Sequence, residues 1–252
     1  MNNIVYLPIE IKSRDFQNKL LLSYFLLQDG FEVFLGRKKE IEILASNFHP
    51  GIYFGINTQK NYIKFYKKIK KKNHKIFLFD EEGLVTLPHK TYASIKANRD
   101  IIGVSDIFFC WGKTQLSKIL KQKKIDKKKL ILSGSLRIEL LKKKYDYLFK
   151  DTVKKIQTKY KNIQLFISSY GYSNHFLDSE KNINNLIKLD FLKKKYEIND
   201  YKKYINYNKI RFENYIKNLE KIKNKSKNQI VIRPHPSENH NFYINKFKKK
   251  KF

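Results

Sequence analysis

IVYLPIEIKSRDFQNKLLLSYFLLQDGFEVFL, residues 4–35, reads as a strand, a helix and a second strand. Ile4-Val5-Tyr6-Leu7 has the β-branched and aromatic composition of a buried strand. Ser13 offers a side-chain oxygen to cap a helix running from Arg14 to about Gln28. Phe16, Leu20, Tyr24 and Leu27 recur at helical spacing and predict its apolar face. Gly30 supplies the stop, and Phe31 to Leu35 returns the chain to a strand. A strand, a helix and a strand in so short a span predict a parallel βαβ unit.

The rhythm continues outward. Ile52-Tyr53-Phe54, Ile76 to Phe79, Ile107 to Cys110 and Leu130-Ile131-Leu132 are further strand candidates, with helical stretches between most of them. The fold class this predicts is α/β with a doubly wound parallel sheet. From residue 141 to 160 the pattern becomes long, polar and helical, and Ile163 to Ile167 opens a new strand. The expected organisation is two Rossmann-like domains, residues 1–150 and 151–252. In the second, a lysine-rich helical stretch from Tyr201 to Lys225 leads to the strand Ile230-Val231-Ile232. An α/β domain of ~100 residues or more is hard to complete from the stretch of chain after Ile163. The second domain is therefore expected to be curtailed, and Lys248 to Lys251 is what a poly-A tract encodes, where a reading frame can slip.

The formal net charge of +31 points first to polyanions. Only six of the 54 basic residues are arginine, however, and Asn, Ile, Tyr and Phe are abundant, the mixture that an A/T-rich coding bias produces. Nucleic-acid readers favour arginine at base and phosphate contacts, so no specific nucleic-acid partner is expected. Lysines at 67–72 and 123–129 fall where helices should end, a favourable place beside the helix dipole. The basic surface still suits peripheral contact with an anionic membrane. No apolar stretch approaches the ~20 residues that span a bilayer, and Met1-Asn2-Asn3 leads into a strand rather than a signal peptide. The cytoplasm, including the inner face of the cell membrane, is the expected location. One cysteine, Cys110, excludes an intrachain disulfide and a cysteine-rich zinc site.

Two polar motifs come directly after predicted strands. Asp80-Glu81-Glu82-Gly83 comes after Lys75 to Phe79, and Arg233-Pro234-His235-Pro236-Ser237-Glu238 after Gln229 to Ile232. In open α/β sheets ligands bind beyond the carboxyl ends of the strands. A carboxylate there, Glu81 or Glu82, can take the proton of an attacking hydroxyl, and adjacent acids are expected to raise each other's pKa. Gly83 is expected to permit the tight turn that exposes them. Pro234 and Pro236 restrict the backbone around His235, which beside Arg233 can neutralise a phosphate leaving group. Glu238 is expected to orient His235 or meet a sugar hydroxyl. At the first strand end, Glu10, Lys12 and Arg14 with nearby backbone N–H groups are candidates for holding an acceptor. Arg137 is a further cation at a strand end, and Tyr170-Gly171-Tyr172 a weaker candidate beside a nucleotide. No carboxylate and histidine set has metal-ligand spacing, so no metal is expected.

These residues carry a family resemblance. Tyr6 to Arg14, Leu35-Gly36-Arg37-Lys38 read as a turn, Pro50-Gly51-Ile52-Tyr53, Asp80-Glu81-Glu82-Gly83-Leu84, Val104-Ser105-Asp106, Trp111-Gly112, Ser133-Gly134-Ser135-Leu136-Arg137 and the Arg-Pro-His-Pro-Ser-Glu segment together resemble bacterial surface carbohydrate biosynthesis proteins. The likeness implies a GT-B glycosyltransferase-like fold. It also implies the acidic-acidic-Gly and His-Pro motifs of sialyltransferases and polysialyltransferases. By that likeness Glu81 is the general base on the acceptor hydroxyl, and His235 engages the phosphate of a nucleotide-sugar donor, with Arg233, Ser237 and Glu238 around it. The implied partners are that nucleotide sugar, as substrate rather than cofactor, and a glycan or lipid-linked acceptor. Related glycerophosphate polymerases share the His-Pro segment, which leaves a polyol phosphotransferase as the alternative. A truncated, non-catalytic scaffold is another, and a nucleic-acid module a third.

Overall fold

The computed structural model describes residues 3–83, 92, 96–160, 162–188, 192 and 194–247. Leu84 of the acidic motif, Met1-Asn2 and the Lys248 to Lys251 run lie outside the described residues. Two compact units divide the chain, Met1–Leu148 and Phe149–Phe252.

The first unit is built on strands β1 (Ile4–Ile9), β2 (Glu32–Arg37), β3 (Ile52–Gly55), β4 (Lys75–Phe79), β5 (Ile107–Cys110) and β6 (Leu130–Leu132). They lie in the order β2-β1-β3-β4-β5-β6, and every neighbouring pair is parallel. The α/β class and the parallel sheet are as the sequence predicts. Because β2 returns to one side of β1 and β3 lies on the other, the order reverses between β1 and β3, which makes that gap the topological switch point. Helices α1 (Lys12–Gln28), α2 (Lys38–Asn47), α3 (Ile63–Lys70), α4 (Arg99–Val104), α5 (Lys113–Leu120) and α6 (Leu136–Glu139) accompany the strands.

Alternation along the strands selects the core. Tyr6, Tyr53, Ile76, Leu78, Phe108 and Cys110 join Ile41 and Ala45 of α2, Ile69 of α3, Ile101 of α4 and Ile119 of α5 in one buried cluster. Each large apolar side chain in it stabilises the fold by about 1.5–3 kcal/mol relative to exposure. Cys110 is fully buried, and burial pushes its thiol up to about 12, well away from a reactive thiolate.

Three sequence expectations need correction here. Ser13 does not cap α1. Its N-cap is Ile11, and the Asp15 carboxylate reaches back to accept from the backbone N–H of Glu10 at 3.2 Å and of Ile11 at 3.0 Å. Nor is Leu20-Tyr24-Leu27 the buried face, because those three are exposed while Asp15, Asn18, Lys19 and Ser23 turn inward. An ionic cluster takes the inner side. Leu35 to Lys38 is no turn, since β2 runs through Arg37 and α2 starts at Lys38.

The lysine-rich helix ends have partners inside the unit. Lys70 Nζ donates to the carbonyl of Val104 at 3.0 Å and pairs with Asp106 at 3.0 Å. Lys129 Nζ caps the end of α4 through the carbonyls of Gly103 at 2.8 Å and Ser105 at 2.7 Å.

In the second unit β7 (Ile163–Ile167) and β8 (Gln229–Arg233) form a two-stranded parallel sheet. The described α-helices of this unit are α7 (Lys150–Lys159), α8 (Ser179–Lys188), α9 (Lys195–Lys225) and α10 (His240–Phe247). Phe212, Ile216 and Leu219 of α9 meet Tyr243 of α10, with Phe166 and Ile232 packed against them. The helix expected from about Tyr201 starts at Lys195, where Glu197 accepts from the Lys194 N–H at 2.8 Å. Among the described residues, no helix is long and apolar enough to cross a membrane.

Candidate functional site

The switch point of the first unit holds a polar cavity of about 140 Å³. Glu10 and Arg14 reach it from the end of β1 and the start of α1, Ile56 to Gln59 from the end of β3, and Asp80, Glu81 and Glu82 from the end of β4. The fold thus brings the acidic motif together with Glu10 and Arg14. Lys12 is not among the lining residues; it is exposed, with its ammonium 5.9 Å from the Phe16 ring centre.

The three acids of the motif have different surroundings. Asp80 is buried and accepts from Tyr92 Oη at 3.1 Å, Lys96 Nζ at 3.4 Å and Gln115 Nε2 at 3.4 Å. It also accepts from the Glu82 N–H at 3.1 Å, while the Gly83 N–H bonds to its carbonyl at 3.0 Å, closing a tight turn. Glu82 is exposed and bound by Lys96 at 2.7 Å, and that hydrogen bond holds its carboxyl below the usual range. The expected mutual raising of pKa is therefore reversed at Glu82 by Lys96, a cation the linear motif does not contain.

Glu81 is buried as well, 4 % exposed. Lys19 Nζ of α1 stands 3.3 Å from its Oε1, and Arg137 Nε of α6 stands 3.7 Å from its Oε2. Arg137 also donates to the Glu81 carbonyl. Neither carboxylate oxygen receives an aligned hydrogen bond. Each is held instead by an ion pair, from Lys19 on one side and Arg137 on the other, in a residue that lines the cavity.

Lys19 donates to the Pro8 carbonyl at 2.6 Å, and its burial lowers the ammonium's pKa against the opposing pull of Glu81 and Asp15. Arg14 is hydrogen-bonded to Asp15 at 2.6 Å and to Glu10 at 3.1 Å, and the Asp15 bond keeps its pKa above the ordinary arginine value. Asp15 already occupies the N–H groups of Glu10 and Ile11, so those are not free for an acceptor as the sequence suggests. Lys19, Asp15 and Lys96 carry no local signal that sequence reasoning could have found. Asp15 stands in the first turn of α1, where an acid is ordinary, and Lys19 one turn further on is one lysine among many.

The tight turn expected at Gly83 forms, with φ outside the left-handed region, and what calls for glycine there is space. A Cβ on it would stand 2.6 Å from Trp111 Cδ1, so the residue is small because an indole lies against it. Trp111 stacks on Phe79 at 6.0 Å and carries the Arg137 guanidinium 5.3 Å from its ring. The indole thereby supports the cation that faces Glu81.

In the second unit the His-Pro segment is a braced loop beyond β8. Glu238 is buried beneath it and accepts from the His235 N–H at 3.0 Å, Ser168 Oγ at 2.9 Å and Tyr243 Oη at 2.6 Å. Burial alone would raise this carboxyl; the bonds from Tyr243, the backbone of Tyr170 and His235, and Ser168 outweigh it and hold it low. Glu238 therefore fixes the backbone of His235 and does not touch its ring.

The ring is exposed. Its Nδ1 accepts from the Ser237 N–H at 3.2 Å and lies 2.8 Å from Ser237 Oγ. With Nδ1 as acceptor, the neutral ring carries its proton on Nε2, on the outward side. Gly171 permits this arrangement, because a Cβ there would overlap Ser237 Oγ. Arg233 is exposed at the end of β8. Gly171 is legible in the sequence only as part of an aromatic cluster, and Ser168 and Tyr243 carry no local signal.

Among the described residues, no group of three or more His, Cys, Asp or Glu is placed to hold a metal ion. Comparison with protein-family models, with curated proteins and with solved structures found no match for this chain.

Proposed function

We propose that this protein is a glycosyltransferase of cell-surface polysaccharide assembly with a GT-B-like organisation, working at the inner face of the cell membrane. The observation that carries the reading is Glu81, a buried carboxylate at the switch point that lines a polar cavity and receives no aligned hydrogen bond on either oxygen. In this reading an acceptor hydroxyl enters that cavity and donates to Glu81. As the hydroxyl oxygen attacks the anomeric carbon, its proton passes to the carboxylate and the bond from carbon to donor phosphate breaks. Lys19 and Arg137 hold the carboxylate in place. Glu82, tied to Lys96, shapes the rim with its carboxyl held below the usual range.

The second unit takes the nucleotide-sugar donor. His235 offers Nε2–H to the departing phosphate, and Arg233 adds a fixed positive charge beside it. Ser237 holds the ring, while Glu238 supports the loop from below. The donor is a substrate, and no further cofactor is invoked. The lysine-rich surface supports peripheral contact with anionic lipid.

Calorimetric titration of the full chain with CMP-, CDP-, UDP- and GDP-linked sugars tests the reading, with His235→Ala and Glu81→Gln alongside. The expected result is binding of one nucleotide class that His235→Ala abolishes and Glu81→Gln spares. A folded chain that binds none of them rules the transferase out.

A further inference from the structure

A second cavity, of about 280 Å³, opens at the carboxyl ends of β3 to β6. Its walls are Phe54 of β3, Phe79 of β4, Phe109 of β5, Leu22 of α1 and Leu136 of α6. Phe54 and Phe109 stack with ring centres 5.9 Å apart and planes within 4° of parallel. This is an aromatic lining at the end of a sheet where ligands bind, and it is far less polar than the cavity at Glu81.

Two observations point from this cavity to a ligand. Phe79 lines it, and the next three residues of the chain, Asp80, Glu81 and Glu82, line the polar cavity. One strand end therefore contributes to both. In addition, Ser135 lines the apolar cavity, is 9 % exposed and has no hydrogen-bond partner for its Oγ. A buried hydroxyl left unpaired in a mostly apolar wall, whose other polar members are Ser133 and Glu139, fits a guest that is mostly hydrocarbon and carries a polar atom.

We infer that this cavity binds an alkyl or isoprenyl chain attached to the acceptor, with the Ser135 hydroxyl meeting the first oxygen of the linkage and the glycosyl head lying toward Glu81. The size is adequate, since a cavity of about 150 Å³ already holds benzene. A chain seated on Phe54 and Phe109 gains the transfer free energy that a free sugar lacks. The acceptor class this selects is a lipid-linked saccharide. The naming of the guest as an acceptor rests on the transferase reading, whereas the affinity of the cavity for an apolar chain does not.

Trp111 is the only tryptophan and stacks on Phe79, so its emission reports on this wall. The test titrates the full chain with n-octyl β-D-glucoside below micelle formation and with methyl β-D-glucoside, following Trp111 fluorescence. A photoreactive diazirine octyl glucoside is cross-linked in parallel and its attachment sites mapped by mass spectrometry. The expected result is a saturable response to the octyl compound, at least tenfold stronger than to the methyl one, with cross-links on Leu22, Phe54, Phe109 or Leu136. Ser135→Phe, which fills the cavity, abolishes the response.

Equal responses to the two glucosides overturn the inference. So do cross-links confined to the exposed side of α1 around Leu20 and Tyr24, a readout that stands even where Ser135→Phe fails to fold. The nucleotide-sugar titration on the same sample separates the two readings. Donor binding without an octyl response removes the alkyl site alone, and an octyl response without donor binding keeps the alkyl site while removing the transferase.

Discussion

The ammonium of Lys19 lies 3.3 Å from Oε1 of Glu81, and the two side chains are only 3 % and 5 % exposed. Two opposite charges have been taken out of water together, from a helix and from a strand end far apart in sequence. Their mutual attraction offsets part of the desolvation cost, and removing one partner leaves the other uncompensated.

Lys19→Met is therefore expected to destabilise the first unit by about 3 kcal/mol, the scale for breaking one side of a buried pair. Adding Glu81→Gln to it should return part of that loss, with a coupling energy of about 1–3 kcal/mol. Urea unfolding of the two single variants and the double variant measures this directly. Strictly additive losses would mean that Pro8, Asp15 and Arg137 satisfy the two charges separately.

Gly83→Ala tests the claim that the glycine of the acidic motif is there for the indole. The added Cβ would stand 2.6 Å from Trp111 Cδ1, so the ring has to move. Overpacking of this kind costs about 1–3 kcal/mol. Trp111 emission should shift to the red as the indole loses its seat between Phe79 and Arg137. An unchanged emission maximum and an unchanged unfolding midpoint would show that the indole is not confined by residue 83.

What the sequence made legible was the pattern that repeats. The strands of the first sheet show as β-branched and aromatic runs because such side chains pack well on a pleated surface covered by helices. Both polar motifs are visible because each adjoins the end of such a run. The inner face of α1 was not, because period analysis weights apolar residues and that face holds Asp15, Asn18, Lys19 and Ser23. The partners that distinguish Glu81 from Glu82 come from positions 19, 96 and 137, separations at which local spacing carries no information. Glu238 illustrates the same limit in the second unit. Its place in the motif suggested the histidine ring, but Ser168 and Tyr243 draw the carboxylate inward to the loop's backbone.

Glu238 also gives the second unit an acid limit. Its folded pKa lies below the ordinary 4.5. The unfolded chain consequently binds more protons between the two values. Stability from this group is present above about pH 4.5 and is lost as pH falls through the folded value. Tyr243→Phe removes the 2.6 Å bond and should cost about 1–3 kcal/mol. It should also flatten the acid limb of stability against pH. Denaturant melts of the full chain between pH 3 and 6, combined with amide exchange in residues 163–247, check both. An acid limb that keeps its slope in Tyr243→Phe would take Glu238 out of the account.

Gly171 and Ser237 bear on the chemistry of His235 itself. The Ser237 N–H and Oγ both lie against Nδ1, which leaves Nε2 as the protonated, outward nitrogen of the neutral ring. A Cβ at residue 171 would overlap Ser237 Oγ, so in Gly171→Ala the hydroxyl has to swing away and its contact with the ring is lost. Long-range ¹⁵N–¹H correlation spectra report the tautomer of each histidine. In the wild type the His235 signals should be those of the Nε2–H form. In Gly171→Ala they should move toward a mixture, and Ser237→Ala should reproduce part of that change because it removes the same hydroxyl. If phosphate recognition depends on Nε2–H, nucleotide-sugar affinity should fall in both variants in the order of their tautomer shift. A His235 spectrum identical in all three proteins would show that the Ser237 N–H alone fixes the ring, leaving Gly171 to serve only the packing of its loop.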